Sequence, residues 1–149
     1  MPELNSYYKI LKEHNLLIVI QTGVLNINSM MKFIKSLHSD PLFSSKFNHI
    51  VDLNNIIFDL STEDIQKYVY HLENNAKIYG KKRIALITNT PNQVTYSTLF
   101  KLAQEELQPL QSVQIFSTTQ KAYDFMRLKN ISFNEISQIL TALKKELTN

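Results

Sequence analysis

Residues Phe47–Asp64 read FNHIVDLNNIIFDLSTED. Phe47–Leu53 has the pattern of a strand. On a pleat, His49, Val51 and Leu53 share one face, and Ile50 and Asp52 the other. Asn54-Asn55 opens what reads as a loop. Ile56-Ile57-Phe58 in that loop is too apolar for free solvent and is expected to pack back onto a sheet. Ser61-Thr62-Glu63-Asp64 then starts a helix. A hydroxyl there caps the free amides, and an acid three residues on completes the box and suits the helix dipole. Ile65, Val69, Leu72 and Ala76 continue at helical spacing with Tyr68 and Tyr79 beside them, and Gly80 is the expected stop.

Upstream, Tyr7–Leu11 and Leu16–Gln21 are apolar and β-rich, and the polar turn Lys12-Glu13-His14-Asn15 separates them, which predicts a hairpin. LLIVI (Leu16–Ile20) is continuous rather than alternating, so the second strand should be covered on both faces. Thr22-Gly23 is expected to end it. Ile27, Met30, Met31, Ile34 and Leu37 form one helical stripe, with Asn26 or Asn28 as cap and Asp40-Pro41 as the stop. Leu42 and Phe43 follow as apolar loop residues.

Downstream, Arg83–Thr88 is a buried-type strand, and Asn89-Thr90-Pro91-Asn92 turns into a third helix. That helix carries Val94, Thr98, Leu99, Leu102 and Leu107, and Pro109 closes it. Val113–Phe116 is a short fifth strand, and Thr118-Thr119 caps a helix with Ala122, Phe125 and Met126 inward. The order β-β-α-β-α-β-α-β-α predicts a single α/β domain with a mostly parallel five-stranded sheet, its first strand antiparallel. The core spans about 7–128 of residues 1–149. Ser132-Phe133-Asn134-Glu135 is a capping box that opens an appended amphipathic helix over about 132–147. Its stripe, Ile136, Ile139, Leu140, Leu143 and Leu147, must be covered by the domain itself or by a second copy in a homodimer.

Composition narrows the chemistry. The chain has no cysteine, so disulfides, thiolate zinc sites and cysteine catalysis are excluded. Only two glycines occur, Gly23 and Gly80, too few for a dinucleotide fingerprint or a P-loop. The net charge of +3 is dispersed, which argues against a nucleic-acid partner. The longest apolar run, Leu16–Ile20, is far short of the ~20 residues of a membrane span. The start of the chain lacks a signal-peptide pattern, and a cytoplasmic protein is expected.

No motif brings reactive groups together. His14, His38, His49 and His71 have no ligand spacing and read as separate surface or strand residues. Asp52, Asp59, Glu63 and Asp64 form an acidic cluster in sequence, best explained by loop hydrogen bonds and helix-start stabilisation. Lys81-Lys82-Arg83 reads as a solvated basic turn. The tyrosines Tyr68, Tyr70, Tyr79, Tyr96 and Tyr123 read as packing residues. No metal, cofactor or catalytic residue is expected. Ser61 and Thr62, exposed at a helix start, are candidate phosphorylation sites.

The element order, hairpin first, resembles the STAS or SpoIIAA-like domain. DLNNIIFDLST is similar to that family's central strand, loop and helix start, where anti-sigma-factor antagonists carry an Asp-Ser-Ser-Gly motif with a phosphorylated serine. Asp59 matches the aspartate and Ser61 or Thr62 the serine; Leu60 stands in place of the first serine and the glycine is absent. Tyr7–Leu128 also resembles the shorter SpoIIAA-like bacterial proteins, with Asp40-Pro41 before the third strand, Asp52 near that strand's end, and Ala122, Tyr123 and Phe125 in the final helix. The resemblance implies a non-catalytic regulatory module that binds a protein partner. Contact would involve Asn54, Asn55, Ile57, Phe58 and Asp59, with Asn89 and Asn92 alongside. A carrier of a small apolar or lipid-like ligand is the alternative, its pocket lined by Ile56-Ile57-Phe58 with Leu42 and Phe43. A hydrolase or transferase using Ser61 with Asp52 or Asp59 is the remaining one, and it lacks a histidine placed to act as base.

Overall fold

The computed structural model describes residues 2–75, 81–108 and 110–148, with the side chains of 72–75 and 148 left out. The expected roles of Ala76, Tyr79, Gly80 and Pro109, and of the Leu72 side chain, fall outside the described residues. The strands are β1 (Asn5–Leu11), β2 (Leu16–Leu25), β3 (Asn48–Phe58), β4 (Lys82–Ile87) and β5 (Gln111–Phe116). The helices are α1 (Ile27–Ser39), α2 (Thr62–Asn75), α3 (Pro91–Leu107), α4 (Thr119–Met126) and α5 (Phe133–Thr148). The sheet runs in the order β1-β2-β3-β4-β5. β1 is antiparallel to β2, through a 3-10 turn at Lys12–His14, and every other pair is parallel.

Each crossover steps one strand in the same direction, so right-handed connections put α1, α2 and α3 on one face. There Leu17 and Val19 meet Leu37 and Phe47, while Leu53, Ile56 and Phe58 meet Met30, Val69 and Phe100. α4 and α5 cover the other face, against Ile18, Ile20, Ile50 and Ile87. LLIVI is thus buried on both sides, as its unbroken apolar run demands.

The appended helix docks on its own chain. Ile136, Leu140 and Leu143 are buried in the core it shares with β2, with Ile139 and Leu147 at its edge. Tyr123 donates to the Ile131 carbonyl at 2.6 Å, which fixes the turn between α4 and α5. The stripe is covered within the chain, so its buried members are not free to form a homodimer while α5 stays docked.

Three local expectations are corrected. β2 does not end at Thr22-Gly23 but runs to Leu25, and that extension gives Asn55–Phe58 a partner, so the expected loop is the end of β3. The register slips between Ile20 and Thr22: Ile20 pairs Asp52, but Thr22 pairs Asn55. β3 therefore carries one extra residue, a bulge. The bulge keeps Ile56 and Phe58 on the same inner face as Leu53, and Ile57 points out at 55% exposure.

The second correction concerns α3. Gln93, Ser97 and Phe100 face inward, while Val94, Leu99, Leu102 and Leu107 are exposed. Gln93 explains the rotation. Its Nε2 donates to the carbonyls of Asn54 (3.0 Å) and Ile56 (2.9 Å), and its Oε1 accepts from the Asn89 amide at 2.7 Å. Those bonds satisfy carbonyls beside the bulge, and they turn the i+4 and i+7 positions inward with Gln93.

The third concerns the basic run. Lys82 is not solvated: it opens β4 at 5% exposure. Arg83 is half-buried, donates to the Phe125 carbonyl at 2.8 Å and stacks over the Phe125 ring.

Candidate functional site

Between the sheet and α1–α3 lies an apolar cavity of about 160 Å³. Val19, Val51 and Leu53 form its floor, α1 contributes Phe33 and Leu37, and the far wall holds Phe58, Tyr68 and Phe100. The aromatic wall is ordered by ring contacts: Tyr96 stacks on Phe58 with centroids 5.5 Å apart, and Tyr68 meets Phe100 edge-on at 5.3 Å. Burial pushes the Tyr68 hydroxyl up to about 12. Ser97 also lines the space, and its small side chain leaves volume that a leucine at the same position would fill. Its Oγ is buried without a hydrogen-bond partner.

One end of the cavity is basic. Strand alternation places Lys82 on the face shared by Ile84 and Leu86, and His49 pairs beside Ile84. The Lys82 ammonium donates to the Ser45 carbonyl at 3.4 Å. No carboxylate pairs with it among the described residues. Burial lowers its pKa from 10.5 to about 8. His49 is held well below the usual imidazole range, first by burial, then by Lys82 and His38. Its Nε2 is buried and unpartnered. His38, at the end of α1, keeps an exposed edge while its ring stacks on Phe43 at 5.0 Å, and partial desolvation of the ring, then Lys82 and His71, lowers its pKa. Two histidines, His38 and His49, therefore line the cavity with one buried lysine.

The residues singled out from sequence divide into two groups. Phe58 is buried and lines the cavity, as does Phe43; Leu42 is 63% exposed and does not. Asn55, Ile57, Asp59, Ser61, Thr62, Asn89 and Asn92 are exposed, and Asn54 is half-buried at the bulge. Asn92 is occupied structurally: its Oδ1 accepts from the Phe58 amide at 3.0 Å, tying α3 to the end of β3. Ser61 caps α2, its Oγ accepting from the Asp64 amide at 3.1 Å while Asp64 accepts from the Ser61 amide at 3.0 Å.

Asp52 is separated from the other acidic residues of its stretch. Asp52 faces α5 on the other side of the sheet and pairs with Lys144, Asp59 is exposed, and Asp64 belongs to the cap. No histidine bonds to Ser61 among the described residues. No group of acidic and histidine side chains suited to a metal ion occurs among the described residues. No helix among them is long and apolar enough to cross a membrane.

Sequence inspection missed Lys82, His38, His49 and Ser97 as a set. Lys82 was detectable in principle, because it keeps the inward phase of Ile84 and Leu86. The histidines come from different elements and carry no spacing signal.

No family model matches the chain, and no curated protein matches it. Among solved structures, it is similar to an uncharacterised protein of the DUF3478 family with a SpoIIAA-like fold, from Shewanella loihica PV-4. The match covers 83% of this chain and 94% of that one, at 13% identity and a TM-score of 0.52. The chain has a SpoIIAA-like fold.

Proposed function

We propose that this chain is a non-catalytic binding module that holds a small apolar molecule between its sheet and α1–α3. The cavity carries this reading: a space of about 160 Å³ with aromatic and aliphatic walls and a few polar groups at one end. Binding sites have that make-up, with apolar walls for affinity and sparse polar groups for orientation. An apolar cavity of comparable size is dry and accepts a ligand of benzene size in other proteins. The test is native mass spectrometry of the purified protein, combined with displacement of a fluorescent apolar probe. A bound mass or saturable probe binding that is lost in Ser97→Leu is expected. Probe binding that is undiminished in Ser97→Leu, with no bound mass in the parent protein, would overturn the reading.

Contact with a protein partner is a second reading. It is favoured by the exposed Ile57, which projects between exposed Asn55 and Asp59 next to the α2 cap. Asn89 lies on the neighbouring turn. Phosphorylation of Ser61 or Thr62 would place a dianion at the helix start and alter such docking. Affinity capture with the parent protein, Ile57→Asp and Ser61→Glu tests it: one partner should be lost in both variants, and a partner set identical in all three removes this reading.

A further inference from the structure

We infer that the cavity's ligand is a single-headed anionic amphiphile, a short- to medium-chain carboxylate. Its chain would lie among Phe33, Phe58 and Phe100, and its head against the Lys82 ammonium. This inference rests on the carrier reading above and adds the chemistry of the head.

Lys82 is the first reason. A buried cation without a counter-ion is costly, and proteins normally pair it or replace it. Here an ammonium with three donors is 5% exposed and, among the described residues, makes one long bond, to Ser45, and pairs with no carboxylate. A carboxylate head would supply both the missing charge and the missing acceptor. The second reason is the company Lys82 keeps. His38 from α1 and His49 from β3 line the same end as Lys82, and no acidic group is among the charges that shift either of them. A bound anion would offset the cost of burying the ammonium and the repulsion that Lys82 exerts on His38 and His49.

Size sets the chain. A volume of about 160 Å³ is close to the roughly 150 Å³ that holds a benzene ring, so about six to eight carbons fit. A diacyl lipid is too large for it. A nucleotide would find few partners for its sugar and base among Val19, Leu53 and Phe100.

The experiment compares octanoate, octanol and acetate by isothermal titration calorimetry against the full chain at neutral pH. Octanoate should bind saturably, more tightly than octanol and far more tightly than acetate. Lys82→Met should weaken octanoate about tenfold or more, the worth of one charge-assisted hydrogen bond, and leave octanol unchanged. Lys82→Gln, which keeps a donor without the charge, should weaken octanoate to an intermediate degree and stands in if Lys82→Met does not fold. Octanol as tight as octanoate in the parent protein, or octanoate unaffected by Lys82→Met, would overturn the head-group inference and leave the carrier reading intact. Acetate as tight as octanoate would also overturn it, by making the site one for a bare anion. If neither eight-carbon molecule binds and the purified protein carries no apolar mass, the carrier reading itself fails.

Discussion

Asp52 Oδ2 lies 3.3 Å from Lys144 Nζ, an ion pair that joins the middle of β3 to the far half of α5. The carboxylate side is 1% exposed and the ammonium side 48%. The other oxygen of Asp52 accepts from the Asn54 amide at 2.9 Å, at the bulge. One buried side chain therefore contacts both the bulge in β3 and the appended helix, and Oδ2 makes an ion pair but no hydrogen bond.

The two partners should respond unequally to mutation. Lys144→Met strips the counter-ion from a buried carboxylate and should cost about 1–3 kcal/mol, less than for a fully buried pair because Lys144 is half in solvent. Asp52→Asn keeps an acceptor for the Asn54 amide and removes the charge, so the double variant should recover part of the loss. Urea unfolding of the four proteins in a double-mutant cycle measures this. Strict additivity would show that the pair contributes nothing.

Gly23 sits at φ +101° with the Glu3 carbonyl pressed against it; a Cβ there would lie 2.2 Å from that oxygen. The N-terminal segment is held in place by the Val24 amide, which donates to the Pro2 carbonyl at 3.1 Å. Gly23→Ala meets both an unfavourable backbone conformation and a backbone clash, and should destabilise by about 2–4 kcal/mol. In a chain lacking residues 1–4 the clash disappears and only the conformational cost, about 1 kcal/mol, should remain. Equal costs in the two backgrounds would show that the close approach to Glu3 does not matter.

Element order was legible because each signal was local. LLIVI implied two covered faces, Asn26 and Ser61 are the caps they resembled, and the stripe of α5 named its buried residues. The end of β3 was not legible. Asn54-Asn55 looks like a turn, and only pairing with an extended β2 makes it a bulged strand. The face of α3 was misread because counting leucines ignores hydrogen bonds. Gln93 outweighs Leu99 and Leu102 by satisfying the carbonyls beside that bulge. The cavity's basic end depends on α1, β3 and β4 meeting, and no spacing rule spans such distances.

Ser97 tests whether the cavity is a space the fold tolerates. Its Oγ is buried without a partner, so Ser97→Ala removes an unsatisfied group and should be neutral or stabilising by up to about 1 kcal/mol. Ser97→Leu places apolar volume in the cavity and should remain folded, with stability within about 1.5 kcal/mol of the parent. Thermal melts followed by circular dichroism compare the three. A loss of several degrees in Ser97→Ala would mean that the hydroxyl has a partner in solution, such as a bound water.

Lys82 gives the stability a pH dependence whose sign follows from its shift. The unfolded lysine titrates at about 10.5 and the folded one at about 8. Below about pH 8 both states are protonated, and the folded protein bears the whole cost of a buried cation, at most about 3 kcal/mol for a shift of that size. Between the two values the unfolded chain binds more protons, so stability rises with pH. Lys82→Met lacks this cost at every pH. It should be more stable than the parent at neutral pH, and the gap should close as pH rises from about 8 towards 10.5. Tyr8 and Tyr68, both pushed up to about 12, work in the opposite direction above about pH 10. Both variants keep them, so their effect cancels in the difference. Urea midpoints measured from about pH 7 to 10 decide the matter. A constant gap across that range would mean that Lys82 reaches solvent, and the basic end of the cavity would lose its buried charge.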